Sequence, residues 1–578
     1  MSFENDKKYI VQYWNYLKKH SKLLTVGFIL IPFISLLHLF QPYITKYGID
    51  ENILKNDYSG LTLTATLFAM CVIGEFISRC LQSFIFQYIG QQTIAEIRKD
   101  LFKHVLTFSS SYFDKTPLGT ITSRLTTDIE ALNDSFASGV VTLLSDLLTL
   151  IGIIGFMLYL SPKLTLIAIL IVPPLAIISN FFRIKLRYCF NKIRTLTGKM
   201  TGMLQEQLHG VSIIQLFGRY SKNYSMFKKI NSDYRKANVQ SVVYDALLYS
   251  LVEAISSVAV ALVLWYGWGQ YNQSLVTIGL LVAFIEYIQK FFHPLKELSN
   301  KFAILQHTLA ALEKIFGTFE VRDSIPKGTI PLKSLNEEIN FSNVSFAYPS
   351  HEDKKILHDL NFKIKKGQTL AIVGPTGSGK TTISRILTKL YIGYTGSITV
   401  DNNEIKDIVT KDLRQLSSIV SQDVQLFSSS IKFNITLGNP SVTDEMMVSA
   451  AKKVQIHADI LGHENGYDSL VQNGGQNLSA GQAQLITFAR ALASPAPLIL
   501  LDEATASVDS QSEAKIQSAL EEILTQKTVI VIAHRLSTIK KADTILAMKN
   551  GQCIEMGTHD ELMAKDGYYA KLFKLQFS

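Results

Sequence analysis

The chain has 578 residues, enough for more than one domain. Hydrophobic residues make up 47% and charged residues 18%, against about a quarter charged in soluble domains, so a purely soluble globule is disfavoured and a membrane class is the first to test. The net charge of +9 reads as cytoplasmic loops facing anionic lipid and not as a nucleic-acid surface, and the four cysteines, none spaced CxxC, suggest neither a zinc site nor a disulfide framework.

The opening MSFENDKKYIVQYWNYLKKHSK puts acids and aromatics ahead of any apolar run and has no small-residue cleavage site, so it does not read as a cleaved signal peptide. Six apolar runs follow, at residues 23–45, 61–91, 135–160, 164–182, 246–271 and 275–292. The first holds 23 residues without a formal charge, long enough to cross a bilayer as a helix. Lys7, Lys8, Lys18, Lys19 and Lys22 precede it and put the N-terminus inside. The third and fourth runs are joined by a short SPK turn, the fifth and sixth by NQS, and both turns would lie outside. The second-to-third connection carries Arg98, Lys99, Lys103, Lys115 and Arg124; the fourth-to-fifth carries Arg183, Lys185, Arg187, Lys192, Arg194, Lys222 and Lys228. Both are basic, long and helix-like, and read as spans continuing into the cytoplasm, with polar tips at 110–128 and 206–219 placed to meet something soluble. Trp265, Tyr266, Trp268 and Tyr271 form an interfacial belt at the outer end of the fifth run.

Glu75, Asp146, Glu253 and Glu286 fall inside these runs, where charge is costly. Two readings stand: an acidic lining that favours amphipathic cations, or structural pairing and solvated ends, with Glu75 and Arg79 spaced i,i+4 for a pair. Residues 301–319 continue as an amphipathic helix, 321–338 read as a Pro- and Gly-bearing linker, and from 339 short strand-like runs alternate with helices. The expected architecture is a multi-domain membrane protein. An all-α six-helix transmembrane domain with long cytoplasmic extensions (1–320) precedes an α/β nucleotide-binding domain (339–578).

The chemistry lies in the second half. TLAIVGPTGSGKTTISRIL holds Gly374, Pro375, Thr376, Gly377, Ser378, Gly379, Lys380 and Thr381 in the GxxxxGK[ST] pattern, with Thr382 next, between a strand-like and a helix-like run. Backbone N–H groups of such a loop face phosphate oxygens, Lys380 neutralises β/γ-phosphate charge, and the Thr381 hydroxyl can hold magnesium. PLILLDEATASVD ends an apolar strand in Asp502, a magnesium ligand by this pattern, followed by Glu503, a general base for the attacking water. His534 ends another apolar strand where a γ-phosphate sensor would sit, and Gln422 stands between strand and loop in SSIVSQDVQLF. Tyr348 in VSFAYP can stack on adenine or merely pack.

Together these residues resemble the ATP-binding cassette (ABC) transporters, in the exporter half-transporter form with six spans ahead of one cassette, across essentially the whole chain. GPTGSGKT is like the Walker A loop, LILLDE like Walker B, Gln422 like the Q-loop glutamine, His534 like the switch histidine, Asp509 in SVD like the D-loop and Tyr348 like the adenine-stacking aromatic. The resemblance implies ATP and Mg2+ as cofactors, with Thr381, Gln422 and Asp502 around the metal. It also implies that LSAGQ, with Ser479, Gly481 and Gln482, binds the γ-phosphate of ATP held by a second half-transporter. Ala480 replaces the usual glycine. Either it is a harmless variant, tolerated at negative φ, or it marks a weakened half-site in a heterodimeric exporter; the heterodimer is the favoured assembly over the homodimer. The implied activity is ATP-driven export of a hydrophobic or amphipathic substrate, drug-like or lipid, across the inner (plasma) membrane, with both termini cytoplasmic. A lipid flippase or peptide exporter of the same architecture is the alternative.

Overall fold

Each apolar run of the first half carries a helix. The computed structural model describes residues 3–135, 139–273, 275–323, 325–472, 474–502, 510–532 and 536–577. The chain divides into two compact units. One holds Met1–His104 and Ile121–Val321, the other Val105–Thr120 and Arg322–Ser578.

The first unit is helical throughout its regular structure. Its long helices are Ser21–Tyr47, Tyr58–Val105, Val141–Leu160, Val172–His209, Tyr220–Tyr271 and Ile278–Phe319. Five stretches among the described residues are long and apolar enough to cross a membrane: Asp6–Ile53, Tyr58–Val105, Val141–Leu160, Pro162–His209 and Tyr220–Tyr271. The sixth apolar run lies in Ile278–Phe319, where Glu286 and Lys290 interrupt it. Helices of 48 and 52 residues rise roughly 70 to 80 Å, more than twice the ~30 Å hydrocarbon core. The surplus turns carry the basic residues, as water-facing turns should.

The interior of this unit is apolar and close-packed, around Ile153, Met157, Val252, Ala259, Val263, Phe284 and Tyr287. One backbone defect inside it is repaired by side chains. Pro42 lies within Ser21–Tyr47 and has no N–H to give the carbonyl four residues back, that of His38. Lys290 Nζ donates to the His38 carbonyl at 2.8 Å, and the buried Tyr287 hydroxyl donates to the Leu39 carbonyl at 2.7 Å. Away from water an open carbonyl costs several kcal/mol, so the Lys290 ammonium supplies the donor that Pro42 lacks. Large apolar side chains such as Phe76 and Ile177 stay exposed, as lipid-facing or subunit-facing surface does.

The second unit is α/β. Strands β1 (Glu338–Ala347), β2 (Lys355–Lys365), β4 (Thr395–Val400) and β5 (Asn403–Glu404) make an antiparallel sheet ordered β2-β1-β4-β5. A six-stranded sheet is ordered β10-β9-β3-β8-β7-β6, with β3 (Thr369–Val373), β6 (Ser417–Val420), β7 (Leu498–Asp502), β8 (Thr528–Ile532), β9 (Thr544–Lys549) and β10 (Gln552–Gly557). Its pairs are parallel apart from the edge pair β9–β10. β3 and β8 are buried along their whole length, as central strands of a sheet covered on both faces must be. The short helix Ser110–Lys115, at the first of the two polar tips, belongs to this unit.

Candidate functional site

Parallel register brings the C-terminal ends of β3, β8, β7 and β6 to one edge. Ile372 is level with Ile532, Asp502 with Ile532, and Val420 with Leu501. Ligands of open parallel sheets bind outside such an edge. β3 runs out into residues 374–379, and the helix Lys380–Leu387 begins there with Gly379 as its N-cap. Gly377 and Gly379 have φ of 83° and 96°, a region closed to most L-residues. A Cβ on Gly379 would also lie 2.7 Å from a Leu357 methyl and 3.1 Å from the Ile356 carbonyl oxygen, so any other residue here is strained by its backbone and must displace a neighbour.

The loop folds around its own lysine. Lys380 Nζ donates to the Gly374 carbonyl at 2.8 Å and the Pro375 carbonyl at 3.0 Å. Burial pulls its ammonium below the usual lysine value, and the Asp502 carboxylate acts in the opposite sense. Thr381 Oγ1 donates to Asp502 Oδ2 at 2.9 Å, joining the loop to the end of β7. Ser378 Oγ is buried with no partner among the described residues. A buried orphan hydroxyl costs about 1–3 kcal/mol, and an incoming phosphate oxygen would relieve it. The hydroxyl and carboxylate of Thr381 and Asp502 are hard oxygen donors that suit Mg2+. The residues present therefore fit both a polyphosphate and its metal.

Tyr348 follows β1. Its hydroxyl is 3.0 Å from Thr382 Oγ1 and accepts from Arg385 Nη1 at 3.4 Å. Phe346 and Tyr391 meet its ring edge to face, with centroids 5.1 and 5.0 Å away. Gln422 is exposed two residues past the end of β6. Glu503, Asp509 and His534 lie outside the described residues. Ser479 caps the helix Ala480–Ala493. Its hydroxyl accepts from Gln482 N and its own N–H donates to Gln482 Oε1, both at 3.1 Å, a closed capping box. Ala480 is the first helical residue, exposed, and not among the residues with positive φ. Its methyl group thus costs no backbone strain. Gly481 is buried in the same first turn.

Glu75 and Asp146, two of the acids in the apolar runs, have partners within the protein. Glu75 accepts from Arg79 Nε at 2.7 Å and from Gln41, and lies 3.2 Å from His38 Nδ1. Asp146 is paired with Lys301. Sequence reasoning did not find the contacts of Tyr391 and Arg385 with Tyr348, which no motif spacing encodes. The only available hint was the aromatic pair in LYIGY just after the phosphate-loop helix.

Comparison with known proteins agrees with this geometry. Residues 24–295 match the family description "ABC transporter transmembrane region" and residues 357–506 match "ABC transporter". The ABC transporter ATP-binding protein YknV of Bacillus subtilis (strain 168) is 35% identical over 568 residues, 98% of this chain and 94% of that protein. An ATP-dependent lipid A-core flippase of Desulfotalea psychrophila is 32% identical over 540 residues, 93% of this chain and 94% of that one. The structure of a bacterial Atm1-family ABC exporter with ATP bound superposes with a TM-score of 0.79 at 25% identity, over 96% of this chain and 98% of the other. With relatives of this identity along nearly its whole length, the chain belongs to the ABC transporter family, as a membrane-embedded exporter that couples ATP hydrolysis to transport.

Proposed function

We propose that the exporter moves a hydrophobic or amphipathic compound, lipid-like or drug-like, by alternating access, and that two cassettes closing on ATP drive the change. The observation that carries the nucleotide reading is the 2.9 Å bond between Thr381 and Asp502 beside the Lys380 loop. It unites a phosphate cradle and a pair of metal ligands at one sheet edge. Mg2+, when bound there, supplies charge neutralisation of the phosphates. Lys380 and the loop N–H groups hold phosphate oxygens. Tyr348 offers its ring to the base. Glu503, the residue after Asp502, takes the proton of the attacking water, and His534 and Gln422 orient around the terminal phosphate. The exposed Ser479 turn, with Gly481 and Gln482, meets the nucleotide of a second chain, and Asp509 lines that junction. Binding energy shifts the transport equilibrium only insofar as ATP favours the closed pair.

The helical backbone of Ala480 supports an undamaged signature turn. A homodimer and a heterodimer are then separated by one experiment, the ATPase stoichiometry of the chain purified alone. The substrate reading rests on the paired acids. Glu75 is paired with Arg79 and Asp146 with Lys301, so neither of these two acids is a free negative charge for a cation. The name of the flippase relative favours a lipid within this class. Basic cytoplasmic connections support a plasma-membrane location with both termini inside. The test is transport into proteoliposomes of a labelled lipid, a neutral amphiphile and an amphipathic cation. ATP-dependent uptake of the cation alone would refute the substrate reading.

A further inference from the structure

One guanidinium inside a membrane helix is only partly engaged. Arg79 lies within the apolar run 61–91, on the helix Tyr58–Val105, and its side chain is 55% exposed. Its Nε donates to Glu75 Oε1 at 2.7 Å, one turn away. Neither Nη1 nor Nη2 has a hydrogen-bond or ion-pair partner among the described residues.

The acid behind it is held from the other side. The Glu75 side chain is only 12% exposed. Its Oε2 accepts from Gln41 Nε2, and its Oε1 lies 3.2 Å from His38 Nδ1. Gln41 Oε1 in turn accepts from Lys290 Nζ at 2.8 Å, and the same ammonium holds the His38 carbonyl. Three helices, Ser21–Tyr47, Tyr58–Val105 and Ile278–Phe319, thus brace one carboxylate. An i,i+4 ion pair on a helix is weak by itself; this one is fixed by its neighbours.

A charge in a membrane span is costly, and those that are kept face the interior or a water-filled path and mark where polar parts of a substrate pass. A guanidinium is a planar fork of N–H donors. With Nε spent on Glu75, the plane is set and the Nη edge is left to donate. Phosphate and carboxylate oxygens match such an edge with parallel, charge-assisted bonds. A cation finds no counterpart in Glu75, because both of its oxygens are engaged.

We propose that Arg79 binds the phosphate or carboxylate of a lipid-like substrate, with Glu75 as the positioning residue that orients the guanidinium. The proposal rests on the reading of the chain as an exporter of amphipathic compounds and narrows that class to those with an anionic headgroup. Gln41 and His38 fix Glu75, Lys290 fixes Gln41, and the fork is therefore set before the substrate arrives, so little side-chain freedom is lost on binding.

The test is ATP-dependent translocation in proteoliposomes of two labelled lipids with the same acyl chains, present together: phosphatidylglycerol, which is anionic, and a glucosyl diacylglycerol, which is neutral. The readout is the ratio of their rates, which a misfolded fraction leaves unchanged. The parent protein is expected to favour the anionic lipid by about fivefold or more. Arg79→Gln should bring the ratio to within about twofold of unity, and Arg79→Lys, which keeps the charge and loses the fork, should lie between. Glu75→Gln keeps an acceptor for Arg79 Nε and should retain most of the preference; Glu75→Leu should lose about threefold and add nothing to Arg79→Gln. A rise in the ratio in either Glu75 variant would mean that the acid competes with the substrate and would overturn its positioning role. Equal rates in the parent, or a ratio that Arg79→Gln leaves as it was while both rates fall together, overturn the anion site alone. If ATP moves neither lipid, the export of lipid-like compounds falls and the site falls with it.

Discussion

Truncating Tyr348 gives the sharpest quantitative test of the nucleotide site. Stacking of a base on an aromatic side chain contributes roughly 1–3 kcal/mol, and about 1.4 kcal/mol is a tenfold change in an equilibrium constant. Tyr348→Ala should therefore raise the KM for ATP by roughly 5- to 150-fold. Tyr348→Phe leaves the ring between Phe346 and Tyr391 and removes only the hydroxyl contacts with Thr382 and Arg385. Those contacts lie within the protein, so the loss should appear as about 1 kcal/mol of stability, with KM moving by less than about threefold. Inorganic tripolyphosphate supplies the control, because it occupies the phosphate loop and has no base to stack. The assay is steady-state ATPase kinetics of the purified protein in lipid, with tripolyphosphate as competitor. Its inhibition constant should stay within about twofold in Tyr348→Ala, since the Lys380 cradle is untouched. A parallel rise in both constants would mean that the substitution distorts the loop. An unchanged KM for ATP would refute stacking.

Other outcomes follow from the same geometry. Asp502→Asn keeps a partner for the Thr381 hydroxyl and loses the charge; the magnesium needed for half-maximal ATPase should rise about tenfold or more, and a magnesium titration superposing on the parent would contradict the assignment. Glu503→Gln should lower turnover by about 100-fold or more while trapped nucleotide accumulates, as measured by retention of labelled ATP. Ala480→Gly should change the ATPase rate by less than about twofold, because Ala480 already has helical backbone and glycine at a helix start costs only a few tenths of a kcal/mol; a large gain in rate would reveal a handicapped signature turn. Glu75→Gln should lower the thermal unfolding temperature by breaking the contacts with Arg79 and His38 and should leave the preference for neutral over cationic amphiphiles as it was; a switch in preference would restore the acidic-lining idea.

The division of labour between local pattern and long-range contact explains what could be read in advance. The phosphate loop was legible because its chemistry sits in eight consecutive residues that need glycine at defined places, two of which have left-handed backbone. Asp502 was legible because an apolar strand ending in an acid is itself a local pattern. The apolar runs announced helices, since a segment in lipid must satisfy its own backbone. The Tyr391–Asp114 bond joins residues 277 positions apart and the Ser109–Asp323 bond residues 214 apart; neither leaves a periodic trace. The acids in the apolar runs were ambiguous for the same reason. The i,i+4 spacing suggested the Glu75–Arg79 pair, whereas Asp146 gave no hint of Lys301, 155 positions on. Nothing in the sequence points Lys290 to the His38 carbonyl that Pro42 leaves open, 252 positions away.

Closure of two cassettes on shared ATP is the step proposed to drive export. It is tested most directly with the Glu503→Gln protein, purified alone in lipid nanodiscs and given ATP and Mg2+. Labelled nucleotide per chain is counted while inter-cassette distances are followed by spin labels on the second unit. Tightly held ATP should appear together with a single short inter-cassette distance, neither occurring when Ser479 and Gly481 are replaced by bulky residues. ATP bound at full occupancy with the cassettes still far apart, in this chain alone and with any partner half-transporter added, would contradict it.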